Sequence, residues 1–223
     1  MENLDKIIID LIRRQEFARG LFEINEQFYY LKQETYIRDL LLKSLNSTLV
    51  NALAIAEHPK SYVRTSDGAA LNMGRRDIGL FGVNDGRFDT KEPIYSIEVK
   101  FYFPLDLFKE DFSDLGDRKH HRTDLGDIRA HWNRDIYNNK TDCLMLIICE
   151  RDWVEFACIA DSPSRNCAID LVQQQATLRK KLAAYITDLD CDFSNALRTS
   201  IKSPTNISAD ATTRYTFLLL FRR

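Results

Sequence analysis

Three residues of this 223-residue chain have the types and spacing for hydrolytic phosphate chemistry. Glu98 and Lys100 stand either side of Val99 in a stretch of strand character over residues 94–103. Residues two apart in a strand project from one face, about 7 Å apart along the backbone. Ile97, Val99 and Phe101 would anchor the opposite face. Asp77 belongs to an earlier strand pattern over 76–83, with residues 78–97 between it and Glu98. If the two strands pair about 4.8 Å apart, Asp77 and Glu98 converge on one cation. Two carboxylates with few other protein ligands suit Mg²⁺ or Mn²⁺, hard ions that keep waters and also bind substrate phosphate oxygens. Such an ion polarises a phosphodiester and makes a nucleophile of water. Lys100 would add a compact positive charge beside the attacking water and the developing phosphorane.

These residues need elements to position them. Leu4, Ile7, Ile8, Leu11 and Ile12 follow the spacing of an amphipathic helix, expected over about 3–20. A second helix starts at Glu34, with Ile37, Leu40, Leu41, Leu45, Leu49 and Leu53 inward, and must end before Pro59. Strand character follows at 62–65, 76–83 and 94–103, with a turn at Asn84-Asp85-Gly86. A charged segment, 104–123, is long enough to serve as a substrate-facing lid. A helix is expected over 124–138, carrying Leu125, Ile128, Trp132 and Ile136 inward, with His131, Asn133 and Arg134 on its polar side. Cys143 to Cys149 is an unbroken apolar run that predicts a strand buried on both faces. A strand returning over 153–159, a long helix over 164–186, an irregular polar stretch over 188–212 and a last strand over 215–221 complete the chain. The fold class is α/β: a central mixed sheet flanked by helices, in one domain.

Asp77, then Glu98-Val99-Lys100, resembles the signature of the PD-(D/E)xK nuclease superfamily. The helix, three strands, helix and strand expected over about 34–149 match the order of that restriction-endonuclease-like core. Residues 1–33 would be an added helical segment, and 150–223 an extension containing a helix and a strand. Arg76 stands where the pattern often has proline. The resemblance implies a Mg²⁺-dependent endonuclease that hydrolyses nucleic acid, DNA foremost, with Asp77 and Glu98 as metal ligands and Lys100 as the catalytic cation. It also implies a glutamate on the helix before the first strand, supporting a metal-bound water. Glu34 is the best match, with Glu23 and Glu26 as rivals. An enzyme that cuts both strands usually needs two sites, so a homodimer is an expectation. The alternative is a nucleic-acid-binding or protein-assembly module without cleavage, on the same scaffold.

Composition constrains the rest. A net charge of −2 means that any basic surface for phosphates is local. Candidates are Arg75-Arg76, Lys119 to Arg122, the Arg129/Arg134 pair and Arg179-Lys180-Lys181. His120-His121 lacks further ligands at zinc spacing. Five cysteines, an odd number with no Cys-x-x-Cys pair, fit a reducing compartment. The acidic start lacks the basic region of a secretory signal, and no apolar run reaches membrane length, so a cytoplasmic protein without a membrane span is expected. Asn46-Ser47-Thr48 matches a glycosylation acceptor, read as chance without an export signal. No glycine-rich phosphate loop, G-x-S-x-G elbow or H-E-x-x-H motif occurs.

Overall fold

A computed structural model describes residues 4–28, 32–59, 63–64, 70–71, 75–84, 87–88, 92–103, 140–151, 196–204 and 212–222, with single positions at 180, 183, 184 and 187. The N-terminal segment forms two helices where one was expected: α1 (Leu4–Ile12) and α2 (Gln15–Phe28). The apolar stripe stops at Ile12, and Arg13 to Glu16 offer four polar residues in a row. With nothing there to bury, the chain changes direction and resumes inward packing with Phe17, Leu21 and Asn25. Gly20 permits close approach of the next helix, α3 (Glu34–Thr48): a Cβ at Gly20 would lie 2.5 Å from Leu40 Cδ1.

The second helix is shorter than its spacing suggests. It ends at Thr48, and residues expected to continue it form strand β1 (Ala52–Pro59). Alanine-rich Ala52 to Ala56 favours helix on propensity alone. Tertiary pairing overrides that preference. The Asn46 amide accepts from Ala54 N at 2.7 Å and donates to Ala54 O at 3.0 Å, so the helix grips the strand backbone directly. The Asn46 side chain thus serves as a clamp at the end of α3.

The remaining strands are β2 (Val63–Arg64), β3 (Ala70–Leu71), β4 (Arg75–Asn84), β5 (Arg87–Phe88), β6 (Tyr95–Tyr102), β7 (Cys143–Glu150), β8 (Ala196–Pro204) and β9 (Thr212–Phe221). The main sheet runs β1-β4-β6-β7-β9-β8, with β5 paired to β4. The β2/β3 pair forms a separate ribbon, so the strand that opens the meander is β1 and not the expected 62–65. All pairings in the main sheet are antiparallel except β6/β7, which is parallel, so the fold is α/β with a mixed sheet. Strand β8 replaces part of the irregular stretch expected over 188–212. Its sequence, with Arg198, Thr199, Ser200, Lys202 and Ser203, is too polar for a buried strand but suits the sheet edge it occupies.

Helices α1 to α3 cover one face of the sheet. Ile8, Leu11, Ile12, Leu21, Ile37, Leu41 and Leu45 pack there against Ile78, Ile97, Val99, Phe101, Met145, Phe217 and Leu219. Residues 143–149 of β7 are buried throughout, on both faces, as the unbroken apolar run requires. Each of Leu144, Met145, Leu146, Ile147 and Ile148 contributes about 1.5–3 kcal/mol of burial. Cys143 and Cys149 are free thiols in this core. Among the described residues, no helix is long and apolar enough to cross a membrane. The expected lid at 104–123, helix at 124–138 and strand at 153–159 lie outside the described residues. So do Trp132, His120, His121, His131, Asn133 and Arg134, the basic candidates beyond residue 103 other than Lys180, and most of the helix expected over 164–186.

The Asn46 clamp can be measured. Asn46→Ala strands the N–H and carbonyl of Ala54 and should cost about 1–3 kcal/mol in urea unfolding at unchanged m-value. A loss below a few tenths of a kcal/mol would show that the clamp is replaced by water.

Candidate active site

The β4/β6 ladder contains three pairs: Leu80↔Tyr95, Gly79↔Ser96 and Ile78↔Ile97. The next pair in register would be Asp77↔Glu98, and there the two strands part. Strand β4 stays with β1 down to Pro59↔Arg75, while β6 continues beside β7 to Tyr102↔Ile148. A cleft therefore opens in the sheet where Asp77, Glu98 and Lys100 stand.

Parting strands leave backbone donors without partners. The N–H groups of Ile97, Val99 and Phe101 all face the β4 side, because residues two apart on a strand share an edge. Ile97 is still paired; Val99 and Phe101 are beyond the ladder. Carboxylates replace the missing strand. Val99 N donates to Asp77 Oδ2 at 2.7 Å, and Phe101 N donates to Glu34 Oε2 at 2.9 Å. Buried N–H groups must be satisfied, so these bonds fix both side chains in the cleft. Glu34 opens α3 and also pairs with Lys32 at 3.4 Å. Its rival Glu23 is exposed and pairs with Arg19 on α2.

Lys100 joins Glu98 to Asp77. Its Nζ donates to Glu98 Oε1 at 2.8 Å and to the Val99 carbonyl at 3.1 Å, and lies 3.8 Å from Asp77 Oδ2. Burial disfavours the Lys100 charge, but Glu98 and then Asp77 outweigh it and raise its pKa. The side chain is therefore an ammonium at neutral pH, an electrostatic group and not a base. Burial also raises the pKa of Asp77 to about 6, helped by repulsion from Glu98 and opposed by Lys100 and the Val99 N–H. One ammonium does not neutralise this pocket.

The donor set fits a divalent cation. Glu98 is 7% exposed, and its Oε2 is buried with no hydrogen-bond partner. A buried carboxylate oxygen without a partner is costly unless a cation or water completes it. Asp77 engages Oδ2 in positioning and keeps Oδ1 for a ligand. Glu34, tied to Phe101 N, orients the wall of the cleft and does not join them. Among the described residues, no group of three or more His, Cys, Asp or Glu is placed to hold a metal ion. Asp77 and Glu98 are two carboxylates, and Mg²⁺ is an ion that completes so small a protein donor set with waters and phosphate oxygens.

The structure adds two residues that the spacing did not single out. Arg38, one turn after Glu34 on α3, donates to Asp39 at 3.0 and 2.9 Å and also to Glu57 on β1. Glu57 has φ 55°, a left-handed conformation inside a strand. That conformation costs a non-glycine residue about 1–2 kcal/mol. Nothing in the sequence marks the turn, because glutamate carries no conformational signal for it.

Two outcomes follow from Asp77. Its pKa in the fold lies above the ordinary 3.8, so its contribution to stability is complete below pH 3.8 and is lost as pH rises through about 6. Asp77→Asn keeps an acceptor for Val99 N without the charge. In EDTA it should be more stable than wild type in urea unfolding at about pH 8, by at most about 3 kcal/mol, with the advantage gone at about pH 4. A variant less stable than wild type at both pH values would refute the assignment. Protons also compete with metal, so Mn²⁺ affinity should fall below about pH 6 in calorimetric titration; a flat profile from pH 5 to 8 would count against Asp77 as a ligand.

Compared with family models, with curated proteins and with solved structures, the chain matches none.

Proposed function

We propose that this chain is a divalent-metal-dependent endonuclease, hydrolysing phosphodiester bonds in nucleic acid on a restriction-endonuclease-like core. The observation that supports it most is the convergence of Asp77, Glu98 and Lys100 where β4 and β6 part, with the buried Glu98 Oε2 left unpartnered. The succession α3, β1, β4, β6 and then β7 parallel to β6 supports that reading with β1 as the first strand, while the helix expected between β6 and β7 lies outside the described residues. That resemblance also favours DNA over RNA as the substrate. A binding-only role would gain if Asp77 and Glu98 faced apart; both lie within 4 Å of the Lys100 ammonium.

Mg²⁺ or Mn²⁺ held by Asp77 and Glu98 would supply a Lewis acid for the phosphate and a water nucleophile at neutral pH. The chain's own groups do the rest. Glu98 and Asp77 would hold that ion through their spare oxygens, and so set where the scissile phosphate can bind. Lys100, kept protonated by those two carboxylates, places a full positive charge where negative charge develops on the phosphorane. Glu34 and the Val99 and Phe101 amides hold the walls so that this geometry exists before substrate arrives. Cutting of both strands would call for two such sites, and hence a homodimer.

The test is cleavage of a panel of DNA and RNA substrates with Mg²⁺ or Mn²⁺, using wild type beside Glu98→Ala and Lys100→Ala. Metal-dependent cutting should drop by about 10²–10³ or more in each variant. Wild-type rates in EDTA, or in both variants, would exclude this site.

A further inference from the structure

Asp77 has no ladder partner on either side of β4. Towards β6, the ladder ends one residue earlier, at Ile78↔Ile97. Towards β1, the pairs Ala56↔Ile78 and His58↔Arg76 are present, but the pair between them, Glu57↔Asp77, is not. Glu57 is the residue with the left-handed backbone. The one irregularity of β1 therefore lies directly opposite the carboxylate on which the proposed metal site depends.

The turn has an evident holder. An ordinary extended residue would alternate faces with Ala56 and His58 and complete the ladder. In its left-handed conformation, Glu57 instead meets Arg38 on α3, and its other carboxylate oxygen lies 4.0 Å from Arg75. The Arg38 side chain is only 13% exposed and is also bonded to Asp39, so it is a fixed anchor. Burial opposes its charge, yet Asp39, Glu57 and Asp77 together raise its pKa. Helix α3 thus spans the cleft. Glu34 grips the β6 wall at Phe101 N, and one turn later Arg38 grips the β1/β4 wall through Glu57.

We propose that Arg38 and Glu57 are positioning residues that set where Asp77 stands relative to Glu98, by holding β1 in its left-handed turn opposite Asp77. Strain of this kind persists only where its surroundings enforce it, and it concentrates at functional sites. The inference rests on the two-carboxylate metal site and goes beyond it in naming what places one of its ligands.

Glycine separates the backbone role from the charge. Glu57→Gly and Glu57→Val both remove the carboxylate, but only glycine adopts positive φ without penalty, and a β-branched residue rejects it. Mn²⁺ affinity is read by calorimetric titration, with circular dichroism and thermal unfolding as the check on folding. Glu57→Gly should bind within about twofold of wild type, while Glu57→Val should lose about tenfold, the weight of the left-handed penalty. Arg38→Ala should lose a similar factor, and Arg38→Ala/Glu57→Gly should recover most of it, which a general loss of stability would not produce. Equal affinity in the wild-type, Val and Arg38→Ala proteins would overturn the inference alone. So would a folded Glu57→Gly protein as weak as the Val variant, and this arm stands even if Arg38→Ala does not fold. A wild type that takes up no Mn²⁺ would overturn the metal site, and this inference with it.

Discussion

The separation of β4 from β6 after Ile78↔Ile97 is the constraint on which the rest of the site depends. A paired strand would have satisfied Val99 and Phe101 with main-chain carbonyls and closed the sheet. Because the strands part, two buried donors require acceptors, and the chain supplies them from Asp77 and Glu34. Satisfying the backbone thus draws negative charge into a narrow, half-buried space. Lys100 answers part of that charge. The remainder shows in the raised pKa of Asp77 and in the unpartnered oxygen of Glu98.

The surrounding fold makes this cleft rigid. On the helix side, Ile97, Val99 and Phe101 are buried among α1, α2 and α3, so β6 cannot rotate its polar residues away. On the other side, β7 pairs with β6 over six consecutive residues from Ile97↔Cys143 to Tyr102↔Ile148 and is buried from 143 to 149. Asp142 adds a local lock at the start of both strands, accepting from Ser96 N and Oγ at 2.9 and 3.0 Å. Helix α3 ties the opposite wall through Asn46 to Ala54 and through Arg38 to Glu57. Strand β6 is thereby held by packing and pairing, and Asp77 by side-chain bonds where the ladder lapses.

Much of this was legible in the residues. The alternation in β6 put Glu98 and Lys100 on one face, and the apolar run of β7 declared a strand buried on both sides; both are local patterns that tertiary contacts reinforce. Asp77 was reached from the pairing of two strand patterns and Glu34 through the resemblance, and the structure brings both to the cleft. Three features were not legible. The Ala-rich start of β1 carries helical propensity and is a strand only because β4 and Asn46 pair with it. The helix break at Arg13-Arg14 has no glycine or proline to announce it. The edge strand β8 has no apolar alternation, since an edge needs none. Arg38 and Glu57 were hidden for a different reason: a left-handed glutamate depends on a partner far along the chain, and no local rule encodes it.

The most direct measurement is a crystal structure of the protein soaked in Mn²⁺, read by anomalous scattering. One strong peak is expected in the cleft, about 2.0–2.2 Å from a carboxylate oxygen of each of Asp77 and Glu98, with the Val99 N–H still bonded to Asp77. A cleft without a peak, in a crystal where Lys100 still bridges the two carboxylates, would contradict it.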